Sequence, residues 1–332
     1  MKLYIFITTS LMVAGGSQCY TAAKARYLEE DGWKTLVFFQ GDRIWKHKCL
    51  IDYFNKFLDC DITGISNPPY LYPGWLRRRI LSKMMGLIGD YKAYDQIIIE
   101  THENAYSQWG EILASRIHAR HFVYLMNERF RGGNMAYDKK IEFYLFKYER
   151  REIMGGNRGI SRLFEGYSYI EHEDWPDYLP LDEAPIQNVE NEKVNSIVRC
   201  DWNICYLGRG VKPYVPYIIR DVGRLARAYP EKTIQLIFVG VVDMHRALLD
   251  EMIDQHENIR IVELGFLHPI PLSLFEKVDV VIAGAGSARH SAESGAIVIV
   301  ADPETKMANN ERHLHIQKPR LHHPSLIAVL SA

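Results

Sequence analysis

The apolar strand Cys205-Tyr206-Leu207 runs straight into Gly208-Arg209-Gly210-Val211-Lys212-Pro213-Tyr214 and from there into a long amphipathic helix. A strand, a glycine turn carrying two cations and a helix start form a phosphate-binding corner, because the first helical amides are unpaired and lie at the positive end of the helix dipole. The same order occurs near the N-terminus, where Leu3 to Thr8 leads through Ala14-Gly15-Gly16-Ser17 into another helical pattern. Two such beginnings in one chain predict two α/β domains facing one cleft.

A chain of 332 residues has room for two domains. Lys and Arg number 40 against 41 Asp and Glu, so there is no net field to hold a nucleic-acid backbone. The five cysteines, Cys19, Cys49, Cys60, Cys200 and Cys205, lack CxxC spacing, which argues against a disulfide framework or structural zinc and for a reducing, cytoplasmic setting. The tail histidines His313, His315, His322 and His323 have no carboxylates or cysteines arranged around them, and no metal site is expected. Thr8, Thr9 and Ser10 interrupt the first apolar run, which reads as a β-strand rather than a leader, and no later run approaches the ~20 apolar residues of a membrane span.

Along the first half, Tyr20, Ala23, Tyr27 and Leu28 share a helical face, Asp31-Gly32 closes that helix, and strands follow at 35–39, 96–100 and 121–126, with a helix at 139–152. Pro176, Pro180 and Pro185 among acidic residues then disfavour both helix and central strand. The expected division is therefore a domain over 1–175, a linker over 176–200 and a second domain over 201–332. In the second domain, strands are expected at 204–207, 234–239, 259–263, 278–282 and 297–301, with a helix at 217–229. The fold class is α/β, with two doubly wound, Rossmann-like domains and ligands beyond the carboxyl ends of the strands.

Arg209 and Lys212 suit a diphosphate, the first as a planar fork and the second as a point charge; the alternative is a solvated surface turn. Between two later strands, Ala283 to Gly295 supplies Gly284, Gly286 and Ser287 for close approach of an anion to a helix start, with His290 and Glu293 one turn further on. Here the plainer reading is a tight connection with Ser287 as an N-cap. In the first domain, Gly15, Gly16 and Ser17 open a helix. The strand ends Thr101-His102-Glu103-Asn104 and Asn127-Glu128-Arg129 offer polar groups for a substrate, or an ordinary helix start and a solvated loop. Trp75 to Met85 mixes Arg77, Arg78, Arg79 and Lys83 with large apolar residues, the composition of a helix that packs on its own domain or lies on an anionic membrane.

Taken in order, the Gly15-Gly16 turn, Gly208-Arg209 with Lys212-Pro213-Tyr214, the strand end Phe238-Val239-Gly240, Glu263-Leu264-Gly265-Phe266 and the late small-residue loop resemble GT-B glycosyltransferases, closest to family 4. The resemblance implies a nucleoside-diphosphate sugar as donor substrate, no cofactor, no required metal and retention of anomeric configuration. It implies donor binding by the second domain, through Gly208, Gly240, Gly284, Gly286, Ser287, His290 and Glu293, with Arg209 and Lys212 as the diphosphate cations. On the acceptor side it implies Gly15, Gly16, Ser17 and Glu128, with His102 at the first-domain histidine near the transferred sugar. The chain departs from the family where His290 stands in place of a glutamate. It departs again after Asp302-Pro303, where a His- and Pro-rich stretch lacks the expected strand and returning helix, so that an incomplete C-terminal domain is expected.

The activity expected from these residues is transfer of a sugar to a glycan or polyprenyl-linked acceptor in cell-surface polysaccharide biosynthesis. The setting is cytoplasmic, with peripheral contact at the inner face of the membrane through Trp75 to Met85. A nucleotide-sugar epimerase and a non-catalytic sugar-nucleotide-binding protein are the alternatives.

Overall fold

The computed structural model describes residues 1–9, 11, 16–41, 51–102, 104–125, 137–155, 186–301 and 314–316. The chain divides into two compact units, Met1–Glu183 and Ala184–Ala332.

In the first unit, β1 (Lys2–Ile7), α1 (Gly16–Glu30) and β2 (Trp33–Phe38) form a βαβ unit with parallel strands, followed by a short α2 (Ile51–Phe54) and the amphipathic α3 (Gly74–Ile88). Then come β3 (Gln96–Thr101), α4 (Asn104–Ile117), β4 (Arg120–Leu125), α5 (Tyr137–Glu149) and β5 (Ile153–Gly155). The strands pair in parallel in the order β2-β1-β3-β4-β5. Strands buried on both faces read as continuous apolar runs, and Leu3 to Ile7 are all in the core. In this order the chain reverses direction across the sheet between β1 and β3, whose last residues Ile7 and Thr101 are in register.

The second unit contains β6 (Ile186–Gln187), β7 (Trp202–Leu207), α6 (Val215–Ala228), β8 (Ile234–Val239), α7 (Arg246–Gln255), β9 (Ile259–Gly265), β10 (Ile270–Pro271) and α8 (Ser273–Glu276). It ends with β11 (Val280–Ala283), α9 (Ala285–Glu293), β12 (Val298–Ala301) and β13 (Leu314–Ile316). The main sheet runs β13-β12-β11-β7-β8-β9, all parallel except β13. Alternation along β7 sends Trp202, Ile204 and Tyr206 into a core with α6 and α7, while Cys205 and Leu207 enter a second core with Leu274 and Ala288 on the opposite face. Helices therefore cover both faces, and the sheet reverses between β7 and β11.

Two boundaries expected from the sequence are corrected. The proline-rich linker was drawn through residue 200, but β6 pairs with β10 and Val194 and Ile197 lie in the second unit's core, so 186–200 is part of that unit. Residues 176–185 lie outside the described residues. The tail was read as lacking a strand, yet Leu314–Ile316 forms one, antiparallel to β12.

Candidate functional site

At the reversal point of the second sheet, Leu207 and Ala283 are register partners, so the loops that follow β7 and β11 leave from neighbouring positions. The first carries Gly208, Arg209 and Lys212, and the second Gly284, Gly286 and Ser287. Backbone bonds shape the β7 loop: Gly208 N–H donates to Val239 O at 3.0 Å, Gly210 N–H to Val241 O at 3.2 Å and Lys212 N–H to Arg209 O at 3.1 Å. The Tyr206 hydroxyl donates to Arg209 O at 2.9 Å from within the core, and burial pushes its own pKa up. The His245 ring lies 2.9 Å from Gly210 O. Arg209 itself is exposed and makes no ion pair with a described residue.

Gly240 must be glycine. Its φ is +138°, and a Cβ there would lie 1.9 Å from Gly208 O. Its N–H donates to Gly265 O at 2.8 Å, so the ends of β7, β8 and β9 are tied together through backbone alone.

Two helices begin at this edge without side-chain caps. α6 starts after Tyr214 with proline in its first turn, and α9 starts after Gly284; neither has an acidic residue in its first turn. Both present positive dipole ends, but only α9 leaves its first amides without a partner among the described residues: at α6, Val215 N–H donates to Lys212 O and Tyr217 N–H to Tyr214 O, each at 3.1 Å, and Pro216 has no N–H. The two starts are adjacent, since a Cβ built on Gly284 would lie 2.8 Å from the Tyr214 hydroxyl. The helix expected near Ser287 begins two residues earlier, which makes Gly284 the N-cap and leaves the Ser287 hydroxyl out of that role. Gly286 is exposed, and a Cβ on it would meet open space. Further along α9, His290 Nδ1 lies 3.1 Å from Glu293 Oε2 and His290 Nε2 lies 3.1 Å from Arg289 Nη2. A guanidinium only donates, so Nε2 accepts and Nδ1 carries the proton toward Glu293.

In the first unit, Gly16 opens α1 in an exposed position, and Ser17 Oγ donates to Gln18 Oε1 at 3.0 Å. Gly15, Glu103, Glu128 and Arg129 lie outside the described residues. His102 follows β3 at the reversal point but is only 2% exposed, with Nε2 2.9 Å from Glu100 Oε1 and Nδ1 2.9 Å from Thr8 Oγ1. A carboxylate only accepts, so Nε2 holds a proton toward Glu100, while Nδ1 shares a hydrogen bond with the Thr8 hydroxyl. Both nitrogens are thus used inside the unit, and in this arrangement His102 fixes the ends of β1 and β3 rather than presenting itself to a substrate.

The charge at the centre of this group comes from Glu100, which the sequence reading passed over as the end of an apolar strand. It is fully buried, pairs with Lys24 Nζ at 2.5 Å and accepts from the Tyr4 hydroxyl. Burial alone would raise its pKa, but the Lys24 charge, followed by the His102 hydrogen bond, brings it down from 4.5 to about 2. The available signal was a lone carboxylate inside Ile97-Ile98-Ile99-Glu100. A second charged group forms around the buried Lys147 and His121. There Lys147 Nζ meets Glu111 Oε2 at 2.7 Å and Glu152, and Glu111 Oε2 also lies 2.8 Å from His121 Nδ1. Burial pushes the His121 pKa down to about 4.

Among the described residues no cluster of three or more His, Cys, Asp or Glu side chains is arranged to hold a metal ion, and the four described cysteines are free thiols. No helix of the described residues is long and apolar enough to cross a membrane.

No known family's sequence model matches the chain, and no curated protein is significantly similar to it. Solved structures do share its fold. A glycosyltransferase from Rickettsia africae ESF-5 superposes with a TM-score of 0.62 at 14% identity, over 92% of this chain and 82% of that one. Anabaena Alr3699/HepE in complex with UDP-glucose gives 0.63 at 13% identity, over 93% and 83%. The S. aureus MnaA–UDP structure gives 0.51 at 13% identity, over 92% and 82%. At such identities the likeness is one of fold: the chain is an α/β protein of the GT-B type, built from two Rossmann-like units.

Proposed function

We propose that the chain is a glycosyltransferase that binds a nucleoside-diphosphate sugar at the reversal point of its second unit and transfers the sugar to a glycan or polyprenyl-linked acceptor. The observation that carries this reading is the meeting of two uncapped helix starts beside an exposed Arg209 that makes no ion pair with a described residue, at the edge where β7 and β11 end. Breaking the glycosidic bond leaves an extra negative charge on the departing diphosphate. Arg209, Lys212, the first amides of α9 and the dipole of α6 interact with that charge more strongly in the transition state than in the ground state. These groups supply the neutralisation that a metal ion provides elsewhere. The family 4 resemblance supports retention of configuration and a role in cell-surface polysaccharide assembly at the inner face of the membrane. His102 acts as a positioning residue that ties the ends of β1 and β3 together, and the resemblance supports an acceptor role for Gly15, Gly16, Ser17 and Glu128.

The first test is thermal shift of the whole chain with UDP, GDP, CDP, ADP and their sugar conjugates, without added metal. Stabilisation by one diphosphate that Arg209→Ala abolishes is the expected result. A folded chain that shifts with none of them refutes the reading. Conversion of the bound sugar nucleotide without acceptor, yielding an epimer, would replace transfer with epimerisation.

A further inference from the structure

We propose that Tyr206 and Tyr214 are positioning residues of the donor site, forming a buried relay that ties the start of α9 to the carbonyl of Arg209 and holds the two anion-facing loops as one cradle. The inference rests on the donor reading above, and its test separates the two.

The relay starts from one carbonyl. Arg209 O accepts the Tyr206 hydroxyl at 2.9 Å and the Lys212 N–H at 3.1 Å, so the backbone between the two cations hangs from a single oxygen. Arg209 is exposed and its side chain is long, so its backbone root is what the fold can set in advance of a ligand. Tyr206 reaches that root from inside the sheet: it is fully buried on the β7 face that packs against α6 and α7, edge to face with Phe238. Its hydroxyl passes over Gly208, where a Cβ would lie 2.8 Å from the oxygen and 3.2 Å from the ring carbon Cζ that bears it. Glycine at that place keeps the path open.

The second link is Tyr214, buried at the residue before α6. Its ring stands edge to face with Tyr206 at 6.3 Å, and the two phenols are hydrogen-bonded. The direction follows from counting protons. A carbonyl only accepts, so the single Tyr206 proton goes to Arg209 O, and Tyr214 is the donor to Tyr206. On its other side the Tyr214 hydroxyl lies against Gly284, the N-cap of α9, where a Cβ would again come within 2.8 Å of the phenol oxygen. Two glycines thus leave room for two phenols. The phenols join the loop that carries Arg209 to the helix start whose first amides have no partner among the described residues. Losing the Tyr206 hydroxyl would strand the Tyr214 proton in the core, and that cost holds the chain of bonds in one arrangement.

The test is titration calorimetry of the whole chain with UDP, GDP, CDP and ADP, comparing wild type with Tyr206→Phe and Tyr214→Phe. The nucleoside of the diphosphate that binds best is followed by saturation-transfer NMR. Each variant removes one oxygen and no carbon, and an unchanged circular dichroism spectrum checks that it folds. Tyr206→Phe is expected to weaken diphosphate binding about tenfold, Tyr214→Phe about threefold, and the double variant no more than Tyr206→Phe alone, because the two hydroxyls act in series. Affinity for the nucleoside, which carries no phosphate, is expected to stay within about twofold. Diphosphate binding that Tyr206→Phe leaves unchanged overturns the inference and leaves the donor reading standing. Equal losses for diphosphate and nucleoside overturn it as well, since the phenols would then support the unit as a whole rather than the cations. Wild type that binds none of the four diphosphates overturns the donor reading, and the positioning role with it.

Discussion

Replacing Glu100 by Gln keeps the shape of the side chain and removes its charge from a site with no access to water. The carboxyl titrates at about 2 in the folded unit against an ordinary value of 4.5, and that gap at 1.36 kcal/mol per pKa unit corresponds to about 3 kcal/mol. Losing one member of a buried ion pair costs a similar ~3–5 kcal/mol by direct comparison. Lys24, whose side chain is 17% exposed, can turn toward solvent in the variant, whereas His102 cannot, so the lower end of that range is expected. The assay is urea unfolding followed by tryptophan fluorescence, since of the six tryptophans only Trp202 lies in the second unit. The sign of the pH dependence follows from a depressed folded-state pKa. The unfolded chain takes up the proton first, so the contribution is complete above about pH 4.5 and is lost as pH falls toward 2. The difference between wild type and Glu100→Gln is therefore expected to be about 3 kcal/mol at neutral pH and to shrink steadily on acidification. A difference under about 1 kcal/mol at neutral pH, or one that does not change with pH, refutes the reasoning.

Arg209→Ala is expected to lower kcat/KM for sugar transfer by about a hundredfold or more, and a loss below about threefold removes this side chain from the mechanism. Gly240→Ala combines a positive φ with a Cβ 1.9 Å from Gly208 O; a loss of about 2–5 kcal/mol is expected, seen as a lower midpoint in thermal unfolding, and an unchanged midpoint would contradict the geometry. His121 titrates at about 4 in the folded unit against 6.5 ordinarily, so its protonation favours the unfolded chain. Stability is expected to fall between about pH 6.5 and 4 in wild type, and His121→Gln is expected to flatten that part of the profile in denaturant titrations.

The strands were legible in the sequence where they are buried on both faces. Ile234 to Val239 is an uninterrupted apolar run with no competing period, and its observed bounds match the expected ones. The short strands β5, β6 and β10 were not legible, because two or three residues carry no periodicity and their pairing is decided by tertiary contact. Prolines misled in the linker: Val194 and Ile197 are separated by polar residues, and only the finished core reveals them as anchors. At the candidate donor site, the turn residues Gly208 to Lys212 were readable because a glycine turn after a strand is local chemistry. The role of Tyr214 was not, since its contact with Gly284 spans seventy positions. His102 shows the reverse case. Its position after a strand suggested contact with substrate, while Glu100 and Thr8, which occupy its two nitrogens, are visible only once β1 and β3 lie side by side.

The backbone ties joining Gly208 to Val239, Gly210 to Val241 and Gly240 to Gly265 have a bearing on how this protein can diversify. Three loops that share carbonyl and amide groups at their roots cannot change length there independently, because an insertion in one would strip partners from the next. New ligand preferences must therefore arise further out, past Val211, Val242 and Phe266, where side chains vary over a fixed base. A library built to alter donor choice would do well to keep the glycine roots constant and randomise only what they hold up.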